Sequence, residues 1–261
     1  MKRAVASLLR LLVLVLLSAL ALQLYFIARV ATMAVLDPQS TTFQRTEIWR
    51  IVSARLELPW SQRWVEYGHM APALKRAVIA SEDAGFADHS GVEWDAVEKA
   101  WERNQKAEAA TERLDEQAQR RASKGGRGPG PTSARPPPKV VGGSTITQQL
   151  AKNLFLGGER SLARKGQEML ITWYLEALLG KRRILEIYLN NVEWGEGVFG
   201  AQAAAQHYFR TNAATLGAAQ AARLAVMLPA PKRFEKSPAS PYVLGRSATI
   251  VARMGAVDLP D

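Results

Sequence analysis

The feature that most limits what this chain can become is an apolar run near its N-terminus. From Leu11 to Ile27 the only clearly polar residues are Ser18 and Gln23, and after Arg29 the apolar character resumes as far as Leu36. At 1.5 Å per helical residue, 11–36 is long enough to cross a hydrocarbon layer roughly 30 Å thick. Lys2, Arg3 and Arg10 precede the run, and positive charge before a span keeps that end in the cytoplasm. The expected organisation is a cytoplasmic tail over 1–10, one uncleaved transmembrane anchor over 11–36, and a domain over 37–261 outside the cytoplasm. Arg29 then falls at the outer edge, where its stem can snorkel, and Tyr25 suits the interface. A cleaved signal peptide is the competing reading, because Ala19-Leu20-Ala21 has the small-residue cleavage pattern. The continuation through Leu22, Leu24, Phe26 and Ile27 favours the anchor.

The chain beyond the span is large enough for one domain with a substantial core. The 34 Lys+Arg against 24 Asp+Glu give a formal charge of +10, which fits nucleic acid, anionic lipid head groups or a phosphorylated substrate. No zinc-ligand spacing and no RNA-binding aromatic signature is present, so nucleic acid is not an expected partner. The chain has no cysteine, hence no disulfide and no thiolate chemistry.

Helical signals dominate the rest. Residues 37–70 read as a short strand or two and a connector, broken at Asp37-Pro38 and Leu58-Pro59. Pro72 suits the first turn of a helix to about Ala84, with Leu74, Val78 and Ile79 as its apolar stripe. A second helix is expected over 92–120. Composition then shifts: a charged, alanine-rich run gives way to Gly and Pro between Gly125 and Pro138. Such a segment buries too little apolar surface to offset its ordering entropy, so about 104–139 reads as a flexible insertion within one domain. Ser144 is read as the N-cap of a helix from Thr145, with Gln148 and Lys152 on one face and Ile146, Leu150 and Leu154 on the other. Ser161 caps a helix to about Leu179, ended by Gly180. Lys181 to Asn190 is another helix, Glu193 to Gly200 a glycine-containing loop, and Ala201–Tyr208 and Leu216–Leu228 alanine-rich helices. Helix after helix without alternating strands predicts a mostly α domain.

Three groups of residues are candidates for chemistry. Glu82 lies one turn beyond Val78 and Ile79, and a carboxylate beside apolar neighbours has a raised pKa that suits a general base. A solvated acidic helix end is the plain alternative, although acidic residues are mildly unfavourable at a helix C-terminus. Arg164, Lys165 and Glu168 stand at three- and four-residue spacing, which by itself reads as a surface salt bridge. Lys152, Arg160, Arg164 and Lys165 form a cationic cluster suited to a diphosphate. His69 and His207 carry no motif around them. No Gly-rich phosphate loop follows a strand and no Asp-x-Asp pair occurs, which argues against a Rossmann-type nucleotide-sugar enzyme.

Four motifs occur in order: Glu82-Asp83-x-x-Phe86-x-x-His89-x-Gly91; Gly143-Ser144-Thr145-Ile146-Thr147-Gln148-Gln149; Arg164-Lys165-x-x-Glu168; and Lys181-x-x-Ile184-Leu185-Glu186-x-Tyr188-Leu189-Asn190. Together they resemble the peptidoglycan glycosyltransferases of glycosyltransferase family 51, over about residues 60–235. The resemblance implies a mostly α, lysozyme-like, two-lobed domain behind a single-pass anchor in a bacterial inner membrane, with the catalytic domain periplasmic. It implies a substrate, lipid II, polymerised with inversion onto a growing glycan strand as undecaprenyl diphosphate leaves. By motif match Glu82 is the base and Glu168 the second essential glutamate. Lys152 and Arg160 fall at the donor diphosphate with Arg164 and Lys165 beside them. Asp83, Phe86, Ser144, Thr145, Gln148 and Gln149 are expected to line the substrate site. Some members respond to a divalent cation, Mg or Mn, at the diphosphate; no cofactor is expected to be required, since the sequence shows no metal-ligand cage. The resemblance leaves room for other cell-wall synthesis or division proteins as partners. Two departures stand out: a longer connection between the first two motifs, and Gln220 where the family commonly has glutamate, read as a structural change. A lysozyme-like peptidoglycan-cleaving enzyme would need a glutamate acid but no diphosphate-binding cations. A non-catalytic glycan-binding membrane scaffold would need neither Glu82 nor Glu168.

Overall fold

The computed structural model describes residues 2–54, 59–95, 98, 102, 105–106, 143–159 and 161–261. The Gly/Pro-rich stretch, nearly all of the 104–139 insertion, most of the helix expected over 92–120, and Arg160 lie outside them. The described residues divide into a main unit, Met1–Gly91 with Thr145–Asp261, and a second unit, Val92–Ser144. In the second unit the described positions between Trp94 and Lys106 are helical, and Lys106 Nζ lies 3.4 Å from Glu102 Oε2.

The main unit is mostly α, as expected. Helix α1 (Lys2–Thr32) contains a 28-residue apolar segment, Val5–Thr32, long enough to cross a membrane. One side of its outer third packs on the domain while the other side stays exposed. Phe26, Val30 and Met33 are buried, and Phe26 meets Phe155 edge to face at 5.4 Å. Gln23, a polar residue inside the apolar run, exchanges two hydrogen bonds with Gln167 and accepts a third from the Tyr174 hydroxyl.

Helix α2 (Thr42–Ala54) corrects the strands expected over 37–70. Thr41 and Gln44 exchange side-chain-to-backbone hydrogen bonds, a capping box that starts a helix. Its buried face is Gln44, Glu47 and Ile51, mostly polar, so hydrophobic periodicity could not reveal it. The two-residue β1 (Ser61–Gln62) and a single turn of 3-10 helix over Tyr67–His69 come next. Helix α3 (Pro72–Glu82) has proline in its first turn and buries Leu74, Val78 and Ile79, each worth about 1.5–3 kcal/mol of transfer free energy.

Helices α4 (Ile146–Phe155), α5 (Leu162–Leu178) and α6 (Lys181–Asn191) form the block that carries the later motifs. Ser161 caps α5 through its Oγ, as expected; Gly180 has an ordinary φ of −70° and opens α6 rather than closing α5 by a left-handed turn. The segment expected as a loop holds β2 (Glu193–Gly195) and β3 (Val198–Phe199), which with β1 make a sheet ordered β1-β3-β2. β1 runs parallel to β3, with Ser61 opposite Val198, and β2 is antiparallel to β3 with a bulge. Gly197 (φ 75°) is required there, because a Cβ would come within 1.7 Å of the Pro59 carbonyl oxygen. Helices α7 (Ala201–Phe209) and α8 (Ala218–Met227) match the alanine-rich helices expected. Gln220 Oε1 accepts the Gly217 N–H at 3.1 Å, so the glutamine at this family position caps α8. A single turn, α9 (Pro231–Phe234), precedes α10 (Pro241–Met254), a helix beyond those expected from the sequence. Helix α8 packs against both α3 and α10, and α4 packs against α2, α5 and α6. The core thus clamps α3 and α4, whose ends carry the first two motifs.

Candidate active site

The site is built where α3 ends and α4 begins. The chain leaves the main unit after Gly91 and is back at Thr145, whose Oγ1 donates to the Gly91 carbonyl at 2.6 Å. Gly91 has φ 87°, and a Cβ there would lie 2.7 Å from Thr172 Cγ2, so only glycine lets the chain pass this close to α5. The N-cap of α4 is Thr145, not Ser144. Thr145 Oγ1 accepts the Gln148 N–H while Gln148 Oε1 accepts the Thr145 N–H, a reciprocal capping box. Ser144 belongs to the second unit and is exposed. Thr145 and Gln148 are buried with their side chains committed to the helix start. Both residues, expected to line the substrate site, also build the frame that holds it.

Asp83 is the fastener. Its Oδ2 accepts the Ile146 N–H at 2.9 Å, in the first turn of α4, and its Oδ1 lies 2.7 Å from His89 Nε2. A carboxylate at a helix N-terminus is favoured by the unpaired N–H groups and by the helix dipole. The Gly91 N–H donates to His89 Nδ1 at 3.1 Å, which leaves Nε2 as the nitrogen that donates to Asp83. Phe86 is fully buried, with Lys181 Nζ 4.6 Å from its ring centroid. Asp83 and Phe86, expected to line the substrate site, are tied into the frame around it by these bonds and this burial.

Glu82, next to this fastener, is only half-buried by area, yet its carboxyl sits deep enough that burial raises its pKa against the opposing hydrogen bonds of Gln149 and Ser81. Gln149 Nε2 donates to Glu82 Oε2 at 3.0 Å, and Gln149 Oε1 accepts the Tyr188 hydroxyl at 3.0 Å. Burial pushes the Tyr188 pKa well above its ordinary value, with the Glu82 and Asp83 charges adding to the shift. Tyr188 is therefore a standing donor that orients the Gln149 amide toward Glu82. Tyr188 and His89 both lie within the motifs, yet sequence alone gave neither a role. An aromatic hydroxyl at the centre of the Tyr188-Leu189-Asn190 run was the available signal.

One turn further along α4 the chemistry changes sign. Gln149 and Lys152 are three residues apart, about 4.5 Å of helix rise. Lys152 lines a cavity of about 300 Å³ with Phe43, Asn153, Leu156, Gly157 and Arg164 among its walls. Lys152 is exposed by area, but its crowded surroundings still lower its pKa, with Arg164 and Lys165 pushing the same way and Glu168 opposing them. Glu168 is buried and binds both neighbours on α5, Arg164 Nη1 at 3.1 Å and the Lys165 ammonium more closely. This is no surface salt bridge: one buried carboxylate anchors two cations beside a third. Arg164 lines the cavity, and its Nε is buried with no acceptor among the described residues.

The carboxylates of the motifs are engaged within the protein. Both oxygens of Asp83 and of Glu168 are taken by protein donors, and Glu82 accepts from Gln149.

A family model described as Transglycosylase matches residues 52–113 and 133–255. A protein of Burkholderia thailandensis, "Biosynthetic peptidoglycan transglycosylase", is 51% identical over 241 residues, covering 92% of this chain and 83% of its own. Proteins with the same name from Paraburkholderia xenovorans (49% identical, 93% and 89% covered) and Ralstonia nicotianae (51%, 92% and 93%) are similar over the same extent. With motifs, geometry and match over most of its length in agreement, the chain belongs to the transglycosylase family.

Proposed function

We propose that this transglycosylase builds peptidoglycan strands from lipid II, a disaccharide-pentapeptide carried on undecaprenyl diphosphate, at the outer face of a bacterial inner membrane. The acceptor sugar's 4-hydroxyl attacks C1 of the donor from the face opposite the diphosphate. Its proton passes to the Glu82 carboxylate as the new C–O bond forms. The bond from C1 to the diphosphate oxygen breaks, the electron pair leaves with the diphosphate, and the configuration at C1 inverts. A carboxylate freed of much of its hydration is the stronger base for a hydroxyl. Negative charge grows on the departing diphosphate, so Lys152, Arg164 and Lys165 stabilise the transition state more than the ground state. Glu168 holds Arg164 and Lys165 in place for that role, and Arg160 is assigned beside them by motif. Helix α1 is proposed as an uncleaved anchor with residues from about 40 onward outside the cytoplasm, which keeps the site close to a substrate that never leaves the bilayer.

The observation that carries this reading is that two residues one turn apart on α4 serve the two halves of the site: Gln149 binds the desolvated Glu82 carboxylate at the end of α3, and Lys152 lines the cavity that Arg164 also lines. Glu82 alone would also suit the general acid of a lytic enzyme; the unsatisfied Arg164 donor and Lys152 have no role in hydrolysing a glycan. The decisive experiment is Glu82→Gln in the full chain, assayed with lipid II. Glutamine keeps the size and cannot take the proton, so polymer formation should fall by about 10²–10⁴-fold while folding and lipid II binding persist. Near-wild-type polymerisation would remove Glu82 as the base.

A further inference from the structure

A second cationic cavity, of about 530 Å³, opens between the outer end of α1 and the start of α2 and shares no lining residue with the one at Lys152. Arg29, Thr32, Asp37, Ser40 and Arg45 are among its walls. We propose that this cavity seats the phosphate of an anionic phospholipid head group from the leaflet where α1 leaves the membrane.

Four observations lead there. Arg29 lies in the last turn of the membrane-length helix, the level at which head-group phosphates sit. Its guanidinium has no hydrogen-bond or carboxylate partner among the described residues, although an arginine at the edge of hydrocarbon is costly without one. Arg45 is fixed in advance: its Nη1 donates to Ser40 O (3.3 Å) and Ser40 Oγ (3.1 Å), and its Nη2 to Thr42 Oγ1 (2.9 Å). All three acceptors are neutral, so the charge is placed and left uncompensated. Asp37, the carboxylate in the wall, is bound by Arg183 at 2.7 Å and so does not neutralise the pair. Two guanidinium groups, one free and one pre-organised, match the oxygens of a phosphate. The charge pattern of the chain agrees: the cations at the start of α1 suit the cytoplasmic side, whereas Arg29 stands at the opposite end, against the usual bias, and is tolerated where a phosphate meets it.

The inference rests on α1 being a membrane anchor and not on the role of Glu82. Flotation of the wild-type chain with vesicles of neutral phosphatidylcholine tests the anchor by itself. The site is tested by native mass spectrometry of the delipidated full chain in neutral detergent, titrated with dioleoylphosphatidylglycerol. The first bound lipid should be retained about tenfold less by Arg29→Ala and by Arg45→Ala, and unaffected by Arg10→Ala, an exposed cation near the other end of α1. Arg29→Ala breaks no hydrogen bond or ion pair among the described residues and carries the test if Arg45→Ala fails to fold. Unchanged retention in Arg29→Ala, an equal loss in Arg10→Ala, or displacement of the lipid by an equal concentration of inorganic phosphate would each overturn the proposal.

Discussion

Replacing Asp83 separates the frame of the site from its chemistry. The Asp83 side chain has 0% exposure, and its two oxygens hold the Ile146 N–H at 2.9 Å and His89 Nε2 at 2.7 Å. Alanine strands both donors. A buried donor left unsatisfied costs about 1–3 kcal/mol, so the pair sets a range of roughly 2–6 kcal/mol. The His89 side chain keeps 11% exposure and water can reach it, which places Asp83→Ala near 3–4 kcal/mol, by the same scale. Asparagine is a sharper probe. His89 Nδ1 accepts from Gly91 and Nε2 therefore carries the proton. An asparagine that offers its oxygen to Ile146 turns its NH₂ toward that proton, and one that offers it to His89 turns its NH₂ toward the Ile146 N–H. Either way one donor is lost, for about 1–3 kcal/mol. Urea unfolding of the three proteins in one detergent, with lipid II polymerisation at a temperature where all are folded, reads both effects. The expected order of stability is wild type, Asn, Ala, with activity falling as Glu82 loses its fixed neighbour. An Asp83→Ala midpoint equal to wild type refutes the fastening role. A large loss of activity in Asp83→Asn at unchanged stability returns Asp83 to the substrate.

Removing the Gln149 amide in Gln149→Leu takes away a hydrogen bond that favours ionised Glu82, so the acidic limb of kcat/KM should move to higher pH and the rate at neutral pH fall about tenfold or more. Tyr188→Phe should move the same limb the same way by less, and a limb that stays in place in both removes the relay from the basicity of Glu82. Burial raises the pKa of Glu193 to about 7 against the attraction of Lys232, so the folded protein holds a proton there that the unfolded chain releases near 4.5. Stability from this group is present below about 4.5 and lost as pH rises toward 7; Glu193→Gln should flatten that slope and raise stability at pH 8 by up to about 3 kcal/mol. An unfolding midpoint at pH 8 no higher than wild type would contradict the assignment.

How much was legible in the sequence depends on where the information sits. The apolar stripes of α3 and α4 repeat at helical spacing, and Leu74, Val78, Ile79, Ile146, Leu150 and Leu154 are all buried as that spacing demands. Glu168 and its two cations were legible because three- and four-residue separations meet on one helix face. Helix α2 was illegible because its inner face is Gln44, Glu47 and Ile51, two of them polar, and the reason those polar groups are buried lies far along the chain. Glu47 pairs with Arg50 three residues away, but also with Lys232, and Gln44 Nε2 donates to Asn191 at 3.4 Å. The strands at 193–199 were hidden for a similar reason: β3 pairs with the distant Ser61–Gln62 as well as with β2, and strands of two or three residues leave no alternation to read. The Thr145 cap was off by one because Ser144 and Thr145 are equal candidates by residue type; Gly91, whose carbonyl Thr145 also binds, decides between them.

The start of α4 shows why the motif around it combines small hydroxyls, amides and one lysine. A helix N-terminus offers unpaired N–H groups that must be satisfied when buried. Here a Thr145–Gln148 box and the Asp83 carboxylate satisfy them, so the buried side of the first turn is spent on fastening. That fastening fixes the azimuth of the helix. Gln149 then points its amide at Glu82, and Lys152, three residues on, reaches the cavity that Arg164 also lines. Base and leaving-group cations thus take their spacing from one rigid helix and not from two loops. A mutation that turns α4 by a few degrees, at Gly91 or Thr145, should therefore damage both halves of the reaction together, whereas Gln149→Leu and losses among the α5 cations should damage one half each.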